Sequence, residues 1–247
     1  MAGPAVTRWG VRLELKHATQ HTAENHMRPI KSAFIILALM AGAMAPAIAQ
    51  SAQSAQSSQV TDAGGDFQGI AQALRAGGYI ILLRHGATFS NQADIDPFNL
   101  ADTTKQRNLN DEGKQLAKAF GAAIRAARVP VGEVYTSRFN RAYETAVLAG
   151  FKEIETTVDL SEGGLVVTPD ENTRRAKALR GMLAKIPDHG KNDILITHKP
   201  NIIDALGKDW FDVKEGESSI FRPEGGKFHL LARVQMEQWP KIAAAVR

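Results

Sequence analysis

Histidine and arginine side chains stand directly after two hydrophobic runs of the sequence. Arg84 and His85 follow the run 79–83, and His198 follows the run 193–197. Near neutral pH a histidine can act as a nucleophile or carry a proton, and an arginine presents a planar fork of N–H donors that matches a phosphate group. These residue types together indicate chemistry on an anionic group, and a dianionic phosphoryl group fits them best.

A third short run, 133–136, is followed by Ser137, Arg138 and Arg141. The runs have the length and composition of strands, and helix patterns lie between them, most clearly after Asn110, which is a good N-cap. Strands that alternate with helices predict an α/β fold, here a three-layer α/β/α sandwich with a mostly parallel central sheet. Ligands of such sheets bind beyond the carboxyl ends of the strands, so we expect these side chains to meet in one pocket.

Four sequence blocks carry these residues in order along the chain. They are Leu-Leu-Arg-His-Gly-Ala-Thr (82–88), Arg-Asn-Leu with Gly113 (107–113), Ser-Arg-Phe-Asn-Arg-Ala-Tyr-Glu-Thr-Ala (137–146) and Ile-Thr-His-Lys-Pro-Asn (196–201). Together they resemble the motifs of the histidine phosphatase superfamily (branch 1), which has the phosphoglycerate-mutase-like fold. An isolated Arg-His-Gly is weakly specific, whereas four blocks in the family's order, at predicted strand ends or helix starts, are a specific pattern.

The resemblance implies a phosphohistidine mechanism. His85 would attack phosphorus in line, and water would then hydrolyse the phosphohistidine, which divides one difficult displacement into two. Electrostatic stabilisation would be the main catalytic contribution, with Arg84, Arg141 and His198 on the equatorial oxygens. The residues expected to bind substrate are Arg84, Arg141, His198, Thr88 and Arg107. We expect no cofactor and no metal, because the arginines supply the compensating charge and no carboxylate pair has the spacing of metal ligands.

The four motifs do not identify the residue that donates a proton to the leaving oxygen. Mutase-like members have a Glu-x-x-x-Gly stretch followed by an aromatic residue, whereas residues 161–164 read Ser-Glu-Gly-Gly without that aromatic. The His-Asp pair of the family's other branch is absent, since Lys199 follows His198. Glu162 and Glu217 are both candidates, and each could instead be a solvated loop carboxylate. Without a donor, the activity should favour good leaving groups such as aryl phosphates.

The N-terminal part of the chain indicates export. Residues 27–49 combine a short positive region, an apolar run and Ala-Ile-Ala, which is the pattern of a secretory signal peptide with cleavage expected before Gln50. The apolar run is shorter than the roughly 18–20 residues of a membrane span. We therefore expect a periplasmic or secreted protein with no stable membrane anchor after cleavage.

The sequence divides into four segments. Residues 1–26 are interpreted as a misassigned extension, although translation could begin at Met1 or Met27, and residues 27–49 form the signal peptide. The Ser/Ala/Gln-rich residues 50–65 are expected to be a flexible linker. Residues 66–247 are expected to form one histidine phosphatase domain. The loop 86–108 and the segment 207–227 have no regular pattern and are expected to shape the mouth of the pocket.

Composition excludes several other classes. The chain has 247 residues and no cysteine, which excludes thiolate catalysis, zinc-finger ligation and iron–sulfur clusters. Residues 1–49 hold five Lys/Arg and two Asp/Glu, so the formal charge of +4 for the chain falls to +1 from Gln50 onward. A body this close to neutral argues against a nucleic-acid partner.

The partner expected from these observations is a small phosphorylated substrate, and the sequence indicates neither its identity nor an oligomeric state. The leading interpretation is an exported phosphatase that hydrolyses phosphomonoesters. Two alternatives remain open, a phosphoglycerate mutase and a catalytically weak phosphate-binding module. Export argues against the mutase, because glycolytic intermediates are cytosolic.

Overall fold

The computed structural model of the protein describes residues 66–163 and 167–246. The predicted extension, signal peptide and linker, which together span residues 1–65, lie outside the described residues and stay predictions. Within the part of the chain that the structure describes, no helix is long and apolar enough to cross a membrane.

Helices and strands alternate along most of the described chain. In order they are α1 (Phe67–Ala76), β1 (Ile80–Arg84), α2 (Asp111–Ala126), β2 (Val131–Ser137), α3 (Asn140–Ala149), β3 (Ile154–Thr157), α4 (Pro169–Ala184), β4 (Asn192–Thr197), α5 (Lys199–Leu206), β5 (Glu217–Glu224), β6 (Lys227–Gln235) and α6 (Trp239–Ala244). The α/β fold class predicted from the sequence is confirmed.

The strands form one six-stranded sheet in the order β3-β2-β4-β1-β5-β6. Strands β3, β2, β4 and β1 pair in parallel, whereas β5 is antiparallel to both β1 and β6. The sheet is therefore mixed, with three parallel pairings and two antiparallel ones. The parallel half contains the three strands that the sequence motifs follow.

Strand β5 corrects the prediction that the segment 207–227 is irregular throughout. It begins with Glu217, Ser218 and Ser219, and these polar residues hide the hydrophobic pattern of a buried strand. A two-residue turn at Gly225 and Gly226, both with positive φ, joins β5 to β6. Glycine adopts this backbone without strain, and such turns match the twist of an antiparallel hairpin.

Both faces of the sheet are covered by helices, as the three-layer prediction requires. Ile81 and Leu83 of β1 pack into a core with α1, α2, α3 and α6. Ile80 and Leu82 pack on the other face with α4 and α5. Because neither face of β1 meets water over its first four residues, the strand is apolar from Ile80 to Leu83 and polar only at Arg84, where it reaches the site.

Helix α2 begins tightly packed against the loop that follows His85. The Asn110 side chain caps the helix by accepting a hydrogen bond of 2.7 Å from the Gly113 N–H. A Cβ atom on Gly113 would lie 2.1 Å from the Ala87 carbonyl oxygen. The absence of a side chain at Gly113 therefore allows the helix to hold this loop in place.

Replacing Gly113 by alanine is expected to destabilise the protein by about 1–3 kcal/mol, because the clash is with backbone that cannot rotate away. The change should also lower any activity that depends on His85. The matched control is Gly181→Ala in the interior of α4, where an added Cβ meets nothing within 4 Å. That substitution should stabilise the protein by about 0.4–1 kcal/mol. Urea unfolding gives the free energy of unfolding of both variants. A change of the same sign in the two would contradict the prediction.

Candidate active site

The parallel half of the sheet brings the two predicted histidines together. Strand β4 lies between β1 and β2, so their carboxyl ends meet at one edge, and Arg84 is in register with Thr197. His85 and His198 extend from adjacent strands at this level, with ring centroids 5.1 Å apart. Both side chains are almost completely buried.

His85 has a fixed tautomer. Its Nδ1 lies 2.9 Å from the Gly86 carbonyl oxygen, and a carbonyl can only accept, so Nδ1 carries the hydrogen. In the neutral ring Nε2 then keeps its lone pair. The residue therefore has the form that a nitrogen nucleophile requires.

The tautomer of His198 follows from a chain of hydroxyl groups. Ser161 Oγ donates to the Thr157 carbonyl oxygen at 3.0 Å, and Ser137 Oγ donates to Ser161 Oγ at 3.2 Å. Ser137 can therefore only accept from His198 Nε2, which lies 2.7 Å away. In the neutral ring Nδ1 is then free to take a proton, and it lies 3.8 Å from Glu162 Oε1.

Burial and positive charge lower the proton affinity of both rings. Removal from water, followed by the charge of Arg141, holds the pKa of His85 well below 6.5, and Arg84 and Arg107 add to the effect. The pKa of His198 is likewise lowered well below 6.5, chiefly by burial and then by Arg141. Both histidines are therefore neutral at neutral pH.

Arg141 is the most deeply buried charged group of the site, with 0% of its side chain exposed. Its guanidinium donates to Asp94 Oδ1 at 3.0 Å and to Glu162 Oε1. The guanidinium also lies 4.5 Å above the centre of the Phe139 ring. Two carboxylates and one aromatic face thus compensate a charge that has no access to water.

The other predicted substrate-binding residues meet at one carboxylate. Glu215 accepts from the Thr88 N–H at 3.0 Å and from Thr88 Oγ1 at 2.7 Å. Arg84 lies 3.3 Å and Arg107 3.9 Å from Glu215 Oε1. Arg84 also donates to the Val213 carbonyl oxygen, so this contact ties the segment before β5 to the end of β1.

The two candidate proton donors lie in different surroundings. Glu162 contacts Arg141 and faces His198, so the structure brings it to the predicted residues. Glu217 is buried in β5, where it pairs with Arg233 and accepts from Gln235 at 2.7 Å. None of the contacts of its carboxylate is with the predicted site, which makes it a structural ion pair rather than a proton donor.

Asp94 and Glu215 are site residues that the sequence analysis missed. Both lie in segments without helix or strand periodicity, and neither belongs to one of the four motifs. Asp94 contacts Arg141, and Glu215 contacts Arg84. With Glu162 they give three carboxylates to match the three arginines 84, 107 and 141, so the residues of the site carry no net charge.

Several buried nitrogens of the site have no hydrogen-bond partner in the part of the chain that the structure describes. Among the described residues, Arg84 Nε, Arg141 Nε and His198 Nδ1 are buried side-chain nitrogens without a hydrogen bond. Such orphaned groups are rare in folded proteins and call for an explanation. Their position around His85 suits an anionic ligand that accepts several hydrogen bonds.

The described residues contain no group of three or more His, Cys, Asp or Glu side chains arranged to hold a metal ion. The acidic groups of the site are each paired with arginines, and His198 Nε2 is occupied by Ser137. The expectation that the reaction needs no metal and no cofactor stays a prediction.

Stability should fall as the pH drops below 6.5, because the unfolded chain then binds protons that the two buried histidines do not. Each histidine contributes at most about 1.4 kcal/mol per pH unit in this range. His198→Gln should therefore reduce the loss of stability between pH 6.5 and 5.5 by about 1 kcal/mol. Urea unfolding at several pH values measures it. The control is His229→Gln on the exposed surface of β6, which should retain the pH dependence of the unsubstituted chain.

Comparison with known proteins gives a family match and a set of similar folds. Residues 80–179 match the sequence model of the histidine phosphatase superfamily (branch 1). None of the curated proteins compared with the chain matches its sequence.

Three of the solved structures with which the chain aligns are described as phosphatases. The protein histidine phosphatase SixA, complexed with tungstate, is 16% identical with a TM-score of 0.47, and the alignment covers 65% of this chain and 98% of that one. A putative α-ribazole-5′-P phosphatase from Escherichia coli is 16% identical, with a TM-score of 0.46 and coverage of 63% and 95%. A phosphoserine phosphatase from Entamoeba histolytica, in complex with 3-phosphoglyceric acid, is 15% identical, with a TM-score of 0.45 and coverage of 64% and 98%.

The family match includes the first three of the four motifs and ends before His198. It confirms the resemblance that those motifs predicted. From residue 80 to residue 179, the chain carries the sequence pattern of the histidine phosphatase superfamily (branch 1).

Proposed function

We propose that this protein is a phosphatase that hydrolyses phosphomonoesters through a phosphohistidine on His85. The observation that carries the proposal is the neutral His85 ring, with its hydrogen on Nδ1, beside buried nitrogens of Arg84, Arg141 and His198 that have no hydrogen-bond partner among the described residues. The family match supports phosphatase activity in general. We also propose export, from the pattern of residues 27–49, and N-terminal sequencing of the mature protein should then find Gln50 first.

In the first step, His85 Nε2 attacks phosphorus while the bond from phosphorus to the ester oxygen breaks. Arg84 and Arg141 bind the equatorial oxygens through the Nε groups that have no other partner. Because phosphoryl transfer depends mainly on positioning and charge stabilisation, rigid and desolvated donors are the contribution the protein can make.

Substrate binding should be coupled to proton uptake. The charges of the site already balance, so a phosphoryl dianion leaves an excess of negative charge beside His198 and Glu162. His198 Nδ1 can take a proton while Nε2 keeps its bond to Ser137. The resulting imidazolium donates Nδ1–H to a phosphoryl oxygen, a charge-assisted hydrogen bond.

In this mechanism Glu162 protonates the leaving oxygen, and its contacts with Arg141 and His198 support that role. In the described site its carboxylate is bound to Arg141. Glu162 then acts in its acid form, and its proton passes to the ester oxygen as the bond from that oxygen to phosphorus breaks. After transfer, the Glu162 carboxylate can accept a proton from the water that attacks the phosphohistidine, so one residue serves both steps.

The two other candidate functions differ in what they produce. A mutase would return the phosphoryl group to a second hydroxyl of the substrate, and phosphoglycerate isomerisation would reveal it. A binding module would hold phosphate without forming a phosphoenzyme. Trapping of labelled phosphohistidine distinguishes an enzyme from such a module.

The full chain should release phosphate from p-nitrophenyl phosphate in the presence of EDTA, because arginines rather than a metal stabilise the charge. His85→Ala should reduce kcat by about a thousandfold or more, since the covalent route is lost. A rapid alkaline quench of the unsubstituted protein should trap labelled phosphohistidine. Activity that disappears with EDTA and returns with a divalent metal would contradict the mechanism.

Glu162→Gln should lower kcat for alkyl phosphates about a hundredfold and for p-nitrophenyl phosphate far less, because p-nitrophenolate leaves without a proton. The measurement is kcat for a series of esters plotted against the acidity of the leaving alcohol. Glu217→Gln is the control, because it breaks an ion pair in β5 and should lower stability without changing the slope. If the slope changes in Glu217→Gln and not in Glu162→Gln, the proton donor would be Glu217 rather than Glu162.

A further inference from the structure

A cavity of about 400 Å³, open to solvent, adjoins the candidate active site. Its walls come from the loop residues 97–101, from Arg138 and Phe139 after β2, and from Val158 and Glu162 before α4. Pockets that bind small molecules commonly have volumes of about 300–1,000 Å³. The cavity is thus large enough for an organic group beside the reacting phosphorus.

The cavity is continuous with the reaction centre through two residues. Glu162 lines the cavity, and its carboxylate contacts Arg141 and faces His198. The Phe139 ring also lines it, and this ring packs edge-on against His198 at 5.3 Å. If Glu162 protonates the ester oxygen, as the proposed mechanism requires, the rest of the substrate lies on the side of Glu162 that lines the cavity.

Much of the cavity wall is apolar. Phe98 is 82% exposed and Val158 is 39% exposed, so large hydrophobic surfaces face solvent at this point. Pro97, Leu100 and Val167 complete the apolar lining. Exposed apolar surface of this kind, concave and next to a polar reaction centre, is typical of a ligand site.

The cavity also contains a cation that has no counter-ion among the described residues. Arg175 is compensated, because it donates to Glu171 Oε1 at 2.8 Å and to the Ser161 carbonyl oxygen at 2.8 Å. Arg138 is exposed, and no carboxylate of residues 66–163 or 167–246 pairs with its guanidinium, unlike the other arginines of the site. A free arginine on an apolar wall is suited to binding a carboxylate or a second phosphate.

We propose that this cavity binds the leaving group of the substrate, and that this group combines an apolar body with a second anionic group bound by Arg138. The inference rests on the proposed function, and it adds a substrate class to it. It predicts a preference for phosphomonoesters of apolar alcohols that carry an acid, over both neutral apolar esters and small alkyl phosphates.

The test compares 4-carboxyphenyl phosphate with its methyl ester, which has the same body without the charge. Arg138→Ala in the full chain should lower kcat/KM for the carboxylate about tenfold, mainly through KM, the size expected for one charge-assisted hydrogen bond. The methyl ester should change less than about twofold, because it has no charge for Arg138 to bind. Phe98→Ala should lower kcat/KM for both aryl esters. It should leave kcat/KM for methyl phosphate unchanged.

Two controls separate the subsite from the reaction centre. Arg222→Ala removes another exposed arginine, which lies at the end of β5 near Ile80 and hence at the opposite edge of the sheet. It should change none of the rates. Inhibition by inorganic phosphate should be the same in Arg138→Ala and in the unsubstituted chain, because phosphate occupies only the phosphoryl site.

Binding of 4-carboxybenzylphosphonate and its methyl ester, measured by calorimetry, makes the two proposals independently testable. Tighter binding of the carboxylate that is lost in Arg138→Ala, with no turnover of any ester, would support the subsite and overturn the phosphatase. The subsite would be overturned if both aryl esters turn over and Arg138→Ala lowers kcat/KM equally for the two, or for neither. The phosphatase proposal would then remain in place.

Discussion

The Arg141 guanidinium is fully buried and cannot lose its proton, so the protein has to surround it with compensating groups. Asp94 comes from the loop after β1, Glu162 from the segment after β3, and Phe139 from the start of α3. An uncompensated charge in this position would cost several kcal/mol, about 3–5 for the loss of one partner of a buried pair. Two distant segments, one with Asp94 and one with Glu162, therefore have to converge on Arg141 at the start of α3.

After burial, the same arginine is the next largest cause of the lowered pKa of both histidines. Its positive charge and the burial of the two rings both oppose protonation, so His85 keeps the lone pair that a nucleophile needs. The cost is that His198 cannot be an imidazolium in the unliganded site. A dianion bound to Arg141 opposes the part of this effect that comes from positive charge, because it cancels that charge, whereas the burial of the rings remains. Substrate binding and protonation of His198 are therefore expected to occur together.

The sequence predicted the part of the site that regular structure carries. Arg84, His85 and His198 follow buried strands whose hydrophobic runs are unambiguous, and Arg141 lies in a helix with a fixed offset from the strand. Asp94 and Glu215 could not be predicted, because their positions depend on loops that fold against the arginines rather than on a local pattern. Glu217 is the opposite case. The sequence made it a candidate proton donor, whereas its carboxylate, two positions from Glu215, forms an ion pair within the sheet.

The mixed sheet explains why one half carries the chemistry and the other half its support. Parallel strands β2, β4 and β1 end at the same edge and bring His85, Arg141 and His198 together. Strand β5 runs in the opposite direction, so it starts at this edge, and Glu215 lies in the turn directly before its first residue, Glu217. The antiparallel strand β5 thus supplies a carboxylate from just before its start. The parallel strands, in contrast, supply residues from their carboxyl ends. Glu215 reaches Thr88 and Arg84 for this reason, and the loop after His85 is held from both sides, by Glu215 and by α2.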